Sequence, residues 1–150
     1  KMSRYLSAPQ DVLNKLDEIR EEHFPELASC HIMVLMDTKK RKSKGRYVFA
    51  SIKKMSDCER FLSADNFVTE GYDYLMVIDS NMWENISDED KIKVVRHELR
   101  HCFYDAEAKN PFKIQDHDIQ DFRAEIQLNK DDPDWDMRVA DIMDSIYEEK

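Results

Sequence analysis

Residues 94–103 form the stretch VVRHELRHCF. It contains the pattern H-E-x-x-H: His97, Glu98, Leu99, Arg100, His101. Residues four apart on an α-helix share a face, so the two imidazoles can grip one divalent ion. The glutamate between them can take a proton from water whose pKa a zinc ion has lowered. At about 100° per residue, His97 and His101 fall within about 40° of each other. Ile92, Val95, Leu99, Cys102 and Phe103 gather on the other side. The spacing therefore predicts a helix over 88–106 with one face packed on a sheet and the other bearing ligands. The plainer alternative is a solvated helix face that carries two ordinary histidines.

The flanks support a helix here. Ser87, followed three residues later by Asp90, resembles a capping box, and Asp88, Glu89 and Asp90 put negative charge at the positive end of the helix dipole. Upstream, YDYLMVID (72–79) and CHIMVLM (30–36) read as buried strands, and YVFASI (47–52) as a third. Helices are expected at 9–22, briefly at 56–62, at 118–129 and at 133–148. The segment 38–46 links two strands, and Gly45 suits its turn. The expectation is an α+β chain, a small three- to four-stranded sheet with an active-site helix and further helices packed on it. It reads as a single domain over 1–150 with a core at about 30–130, carrying the helices 9–22 and 133–148. The strand 72–79 runs straight into the H-E-x-x-H helix, so it is the expected partner for an extended substrate.

A catalytic zinc usually keeps three protein ligands and an open position for water. No histidine follows His101 at the spacing of H-E-x-x-H-x-x-G-x-x-H, which excludes that pattern. His117 is the only histidine further along and is the first candidate for third ligand, with Glu125 and Asp121 as alternatives. Asp118 or Asp121 could orient a ligand imidazole from behind.

Composition narrows the remaining possibilities. The 150 residues hold 23 lysines and arginines against 32 aspartates and glutamates, a net charge of −9, which argues against a generic nucleic-acid coat. With only 2 glycines, no glycine-rich phosphate loop is possible. No apolar run reaches membrane-spanning length, and the first residues lack the apolar stretch of a secretion signal. Three scattered cysteines, Cys30, Cys58 and Cys102, read as reduced thiols of a cytoplasmic protein.

The strand, Trp83, the capped helix start, HELRHCF (97–103) and then HDIQDF (117–122) together resemble the putative phage metallopeptidase family, phage and prophage relatives of the SprT-like zincins. The resemblance covers roughly residues 32–135. It implies a zincin-like fold and one zinc per chain, held by His97, His101 and His117. It also implies that Glu98 is the catalytic base, with protein or peptide as substrate. The sequence departs from the family in its acidic C-terminal helix and in a basic loop containing Lys39, Lys40, Arg41, Lys42, Lys44 and Arg46. Without those six cations the balance is 17 basic to 32 acidic residues. The competing function is a non-catalytic module that contacts nucleic acid or an acidic protein through this loop. Against that stands the plainer reading of a solvated hairpin tip.

Overall fold

The computed structural model describes residues 3–116 and 122–148. The chain opens with a short strand, β1 (Tyr5–Ser7), and helix α1 (Gln10–His23). A 3-10 turn at Pro25–Leu27 leads into β2 (Ile32–Asp37). A tight hairpin, β3 (Lys42–Ser43) and β4 (Arg46–Tyr47), precedes β5 (Ala50–Lys54). Helix α2 (Asp57–Ser63), β6 (Tyr74–Asp79), α3 (Ser80–Asn85) and α4 (Asp88–Leu99) follow. A second hairpin, β7 (Cys102–Tyr104) and β8 (Phe112–Ile114), comes before α5 (Arg123–Leu128) and α6 (Trp135–Glu148). The fold is α+β, as the sequence predicts.

The main sheet has the order β1-β2-β6-β5. β2 and β6 run parallel in register from Ile32↔Tyr74 to Asp37↔Asp79, while β1 and β5 are antiparallel to their neighbours. Alternate residues of the central strands (Ile32, Val34, Met36; Tyr74, Met76, Ile78) enter one hydrophobic cluster. The cluster takes in Val12, Leu16 and Ile19 of α1 and Val94, Val95 and Leu99 of α4. It extends to Trp135, Val139 and Met143 of α6. Both central strands end on a buried aspartate. Asp37 accepts two hydrogen bonds from Arg4 (2.8 and 2.9 Å), whose guanidinium holds its carboxyl below the usual range. Asp79 caps α3 by accepting from the Met82 amide and also accepts from the Tyr147 hydroxyl, which ties α6 to the end of the sheet.

Three expectations need correction. First, β6 is an interior strand with β2 on one side and β5 on the other, so it has no edge to offer a substrate; β5 lies at the sheet's edge. Second, α4 stops at Leu99 instead of continuing to 106, because Cys102–Tyr104 pairs with Phe112–Ile114. Ile92, expected in the core, is 37% exposed, and Val94 is buried instead. Third, the strand expected at 47–52 begins at Ala50, because Lys44 and Gly45 both take positive φ (52° and 78°) and turn the chain early in a tight hairpin.

Candidate metal centre

The side chain of Ser87 caps α4, with its Oγ accepting from the Asp90 amide at 3.2 Å. The Asp90 carboxylate does not complete a capping box; it is bound by Arg138 of α6. Val95 and Leu99 fix one face of the helix in the core, which leaves His97 on the other. Beyond Leu99 the chain tightens, and the His101 amide donates to the Glu98 carbonyl at 3.1 Å. The two imidazole centroids lie 5.6 Å apart. One ligand-capable atom from each of His97, Glu98 and His101 lies within 4.8 Å of the others.

The donor set fits a divalent ion such as zinc. Nδ1 of His101 lies 2.6 Å from the Gln115 carbonyl oxygen, which can only accept. Nδ1 therefore carries the proton, and in the neutral ring the lone pair sits on Nε2. This is the backbone contact that typically orients a metal-binding imidazole. Gln115 is held in turn: its amide donates to the His101 carbonyl at 2.7 Å and its side chain to the Arg100 carbonyl at 2.9 Å. Apolar rings wall the pair. Phe122 lies 5.6 Å from His97 and 5.0 Å from His101, and Trp135 lies 6.4 Å from His97.

The Glu98 side chain is 13% exposed and makes no hydrogen bond among the described residues. Burial pushes its pKa up to about 8, and Arg41 pulls it back only in part. Arg41 offsets only part of the cost of ionising this carboxyl, and a divalent cation held by the two imidazoles would offset more.

The site opens into a cleft of about 710 Å³. Its walls are α4 (Val94, His97, Glu98), the stretch leading into β5 (Val48–Ala50), and α6, with Trp135 and Val139. The edge strand therefore starts at the mouth of the cleft.

His117, Asp118 and Asp121 lie outside the described residues. Glu125, the alternative ligand, is fully buried and engaged elsewhere. Its Oε1 accepts from Arg96 at 2.6 Å, and its Oε2 accepts from Arg100 at 3.1 and 2.8 Å. Both oxygens are committed to the guanidiniums of Arg96 and Arg100, so Glu125 joins α5 to α4.

The basic loop is a hairpin with a fixed base. Arg41 donates to Ser51 Oγ (2.9 Å) and to the Val77 carbonyl (3.2 Å), and it lies 3.3 Å from Asp37. Lys40 and Lys42 cover the Tyr47 ring, and Lys42 lies 3.9 Å from Glu148. Three of the six cations thus have partners within the chain. Lys39, Lys44 and Arg46 are exposed.

Sequence reasoning missed Gln115; it named Arg41 only as a loop cation and Phe122 only within HDIQDF, and did not place either beside the histidine pair or Glu98. Gln115 reaches His101 through the β7–β8 pairing, for which the sequence gives no local signal. Among the described residues no helix is long and apolar enough to cross a membrane.

Comparison with the curated proteins and with the solved structures gave no match. A family model described as putative phage metallopeptidase matches residues 4–147. That match spans nearly the whole chain and brackets both the histidine pair and the cleft; the chain belongs to the putative phage metallopeptidase family.

Proposed function

We propose that the chain is a zinc-dependent metallopeptidase in which His97, His101 and His117 hold the ion and Glu98 is the general base. The supporting observation is the convergence of His97, Glu98 and His101 at the wall of a cleft, with the His101 tautomer set by Gln115. Zinc, when bound, supplies Lewis acidity that polarises a peptide carbonyl and makes water more acidic.

The remaining chemistry belongs to the chain's own residues. Glu98 accepts the proton of the attacking water and delivers it to the leaving amine. It can do so only when ionised, and a positive charge beside it lowers its raised pKa into the working range. Phe122 packs on both imidazoles and Trp135 lies against His97. An extended peptide would add to the free edge of β5, where the strand meets the cleft.

His117 is the third ligand in this reading because both flanks of its segment reach the site. Gln115, two residues before it, holds His101, and Phe122, five residues after it, packs on both rings. The cysteines are all free thiols, in keeping with work in a reducing cytoplasm.

The test is cleavage of a mixed peptide library by zinc-loaded protein. Wild type should cut and stop on chelation. Glu98→Ala should retain zinc and lose at least about 1,000-fold in rate. Undiminished cleavage by Glu98→Ala would end this assignment.

A further inference from the structure

Five apolar side chains line the cleft beside the histidine pair while staying more than nine-tenths buried: Phe49, Val94, Trp135, Val139 and Met143. Val94 stands one turn before His97 and Glu98 on the cleft side of α4, since residues three and four apart share a helix face. The Trp135 ring lies 6.4 Å from that of His97. Val139 and Met143 follow Trp135 at intervals of four on α6, so the apolar row runs about 12 Å along that helix, away from the histidine. Phe49 faces the row from the stretch leading into β5, whose free edge is where a peptide backbone would pair.

The row is open at its lip. Ala140 is exposed there and offers only a methyl group, so a longer side chain at this position would stand in the cleft. Met137, 63% exposed, adds a flexible thioether to the same lip, the kind of side chain that adapts to apolar ligands of varied shape.

The walls are held at a set spacing. The Tyr47 hydroxyl donates to Glu148 Oε1 at 2.6 Å and its ring packs on that of Tyr147 at 4.9 Å, which ties the hairpin to the last turn of α6. Tyr147 is anchored in turn on Asp79 at the end of the sheet. A slot whose walls are already in place costs less to fill.

The charges at the lip are mixed. Asp136, Asp141 and Asp144 line it, but so does Arg46, and Lys40 and Lys42 stand over the Tyr47 ring. Selection of a ligand therefore falls to the floor, which is hydrocarbon.

We propose that this row is a specificity pocket, which takes a bulky aliphatic or aromatic side chain of the substrate next to the bond that is cut. The inference rests on the metallopeptidase reading for the place of that bond. A residue whose side chain enters between Val94 and Trp135 has its backbone beside His97 and Glu98. A leucine or phenylalanine side chain leaves water there, a glycine gains nothing, and an aspartate loses hydration without a partner on the floor.

The test uses hexapeptides identical except at one central position, which is leucine, phenylalanine, alanine, glycine or aspartate. Zinc-loaded wild type should cut the leucine and phenylalanine peptides with kcat/KM at least tenfold above the glycine and aspartate ones. Mass spectrometry should place the cut at a bond flanking the varied residue. Ala140→Phe, at an exposed helix position that should tolerate it, narrows the slot. It should lower the leucine-to-alanine ratio at least tenfold, and a ratio does not depend on how much protein is folded or zinc-loaded. Calorimetric binding of the same peptides to zinc-loaded Glu98→Ala reads the pocket without turnover. Leucine should bind at least tenfold more tightly than glycine, and adding Ala140→Phe should remove that preference.

Cleavage without apolar preference, or a leucine-to-alanine ratio unchanged by Ala140→Phe, would overturn the pocket and leave the metallopeptidase reading intact. Absence of cleavage, with leucine still preferred in binding and the preference lost on Ala140→Phe, would sink that reading and support the pocket. Equal binding of all five peptides to Glu98→Ala would overturn the pocket whatever the cleavage result.

Discussion

The buried carboxyl of Glu98 should make the metal-free protein lose stability as pH rises, and Glu98→Gln should abolish that loss. In the unfolded chain the carboxyl titrates near the usual 4.5; in the folded chain it titrates at about 8. Below pH 4.5 it is protonated in both states and contributes nothing. Between the two values the unfolded chain has released the proton and the folded chain retains it. The unfolded state then binds fewer protons, so stability falls with rising pH and levels off above 8. A rise from 4.5 to about 8 corresponds to roughly 5 kcal/mol at full effect. Water reaching the partly open cleft reduces this, and about 2–3 kcal/mol is the expected size. The assay is urea denaturation in EDTA at a series of pH values from 4 to 9. Other titrating groups are common to both proteins and cancel in the difference. The stability of Glu98→Gln minus that of wild type should grow between pH 4.5 and 8 and then stay constant. Saturating zinc should remove most of the difference, because the ion compensates the carboxylate. Parallel curves for the two metal-free proteins would refute the reasoning, since Glu98 would then be solvated in the folded state.

Further expectations come from the supports around the site. Glu125→Ala leaves Arg96 and Arg100 without their shared counterion and should cost about 3–5 kcal/mol in denaturant unfolding, whereas a role confined to metal ligation would leave the metal-free protein unchanged. Gly71→Ala forces a Cβ against the Arg60 carbonyl and should destabilise by at least about 2 kcal/mol, read as a lowered urea midpoint. Lys39→Ser with Lys44→Ser removes exposed hairpin charge away from the cleft. Peptide cleavage should persist and the melting temperature should hold within a few degrees; a large loss of either would give these cations a role the structure does not show.

The elements with strong periodicity were legible in the sequence. Val12, Leu16 and Ile19 place α1 within one residue of its observed ends, and the apolar runs locate β2 and β6 within two. The face that carries His97 was legible because Val95 and Leu99 define the opposite one. Less legible was everything whose pairing partner is remote. β1 is three residues long and exists by pairing with β2. The Cys102–Tyr104 strand reads equally well as the end of a helix, since three apolar residues fix no period. Its pairing with Phe112–Ile114 is what brings the Gln115 carbonyl to His101. Glu125 fitted a ligand position by its spacing, but only the fold shows two arginines closing on it. Strand order was also hidden: 72–79, expected to pair with substrate, is an interior strand, and β5 lies at the sheet's edge.

Zinc stoichiometry and affinity, measured by chelator competition on wild type, His97→Ala, His101→Ala, His117→Ala and Glu98→Ala, test the central claim most directly. One equivalent should bind wild type, and Glu98→Ala should keep it. Each histidine variant should bind at least about 100-fold more weakly. Wild type without a bound equivalent, or His97→Ala and His101→Ala binding as tightly as wild type, would contradict the account.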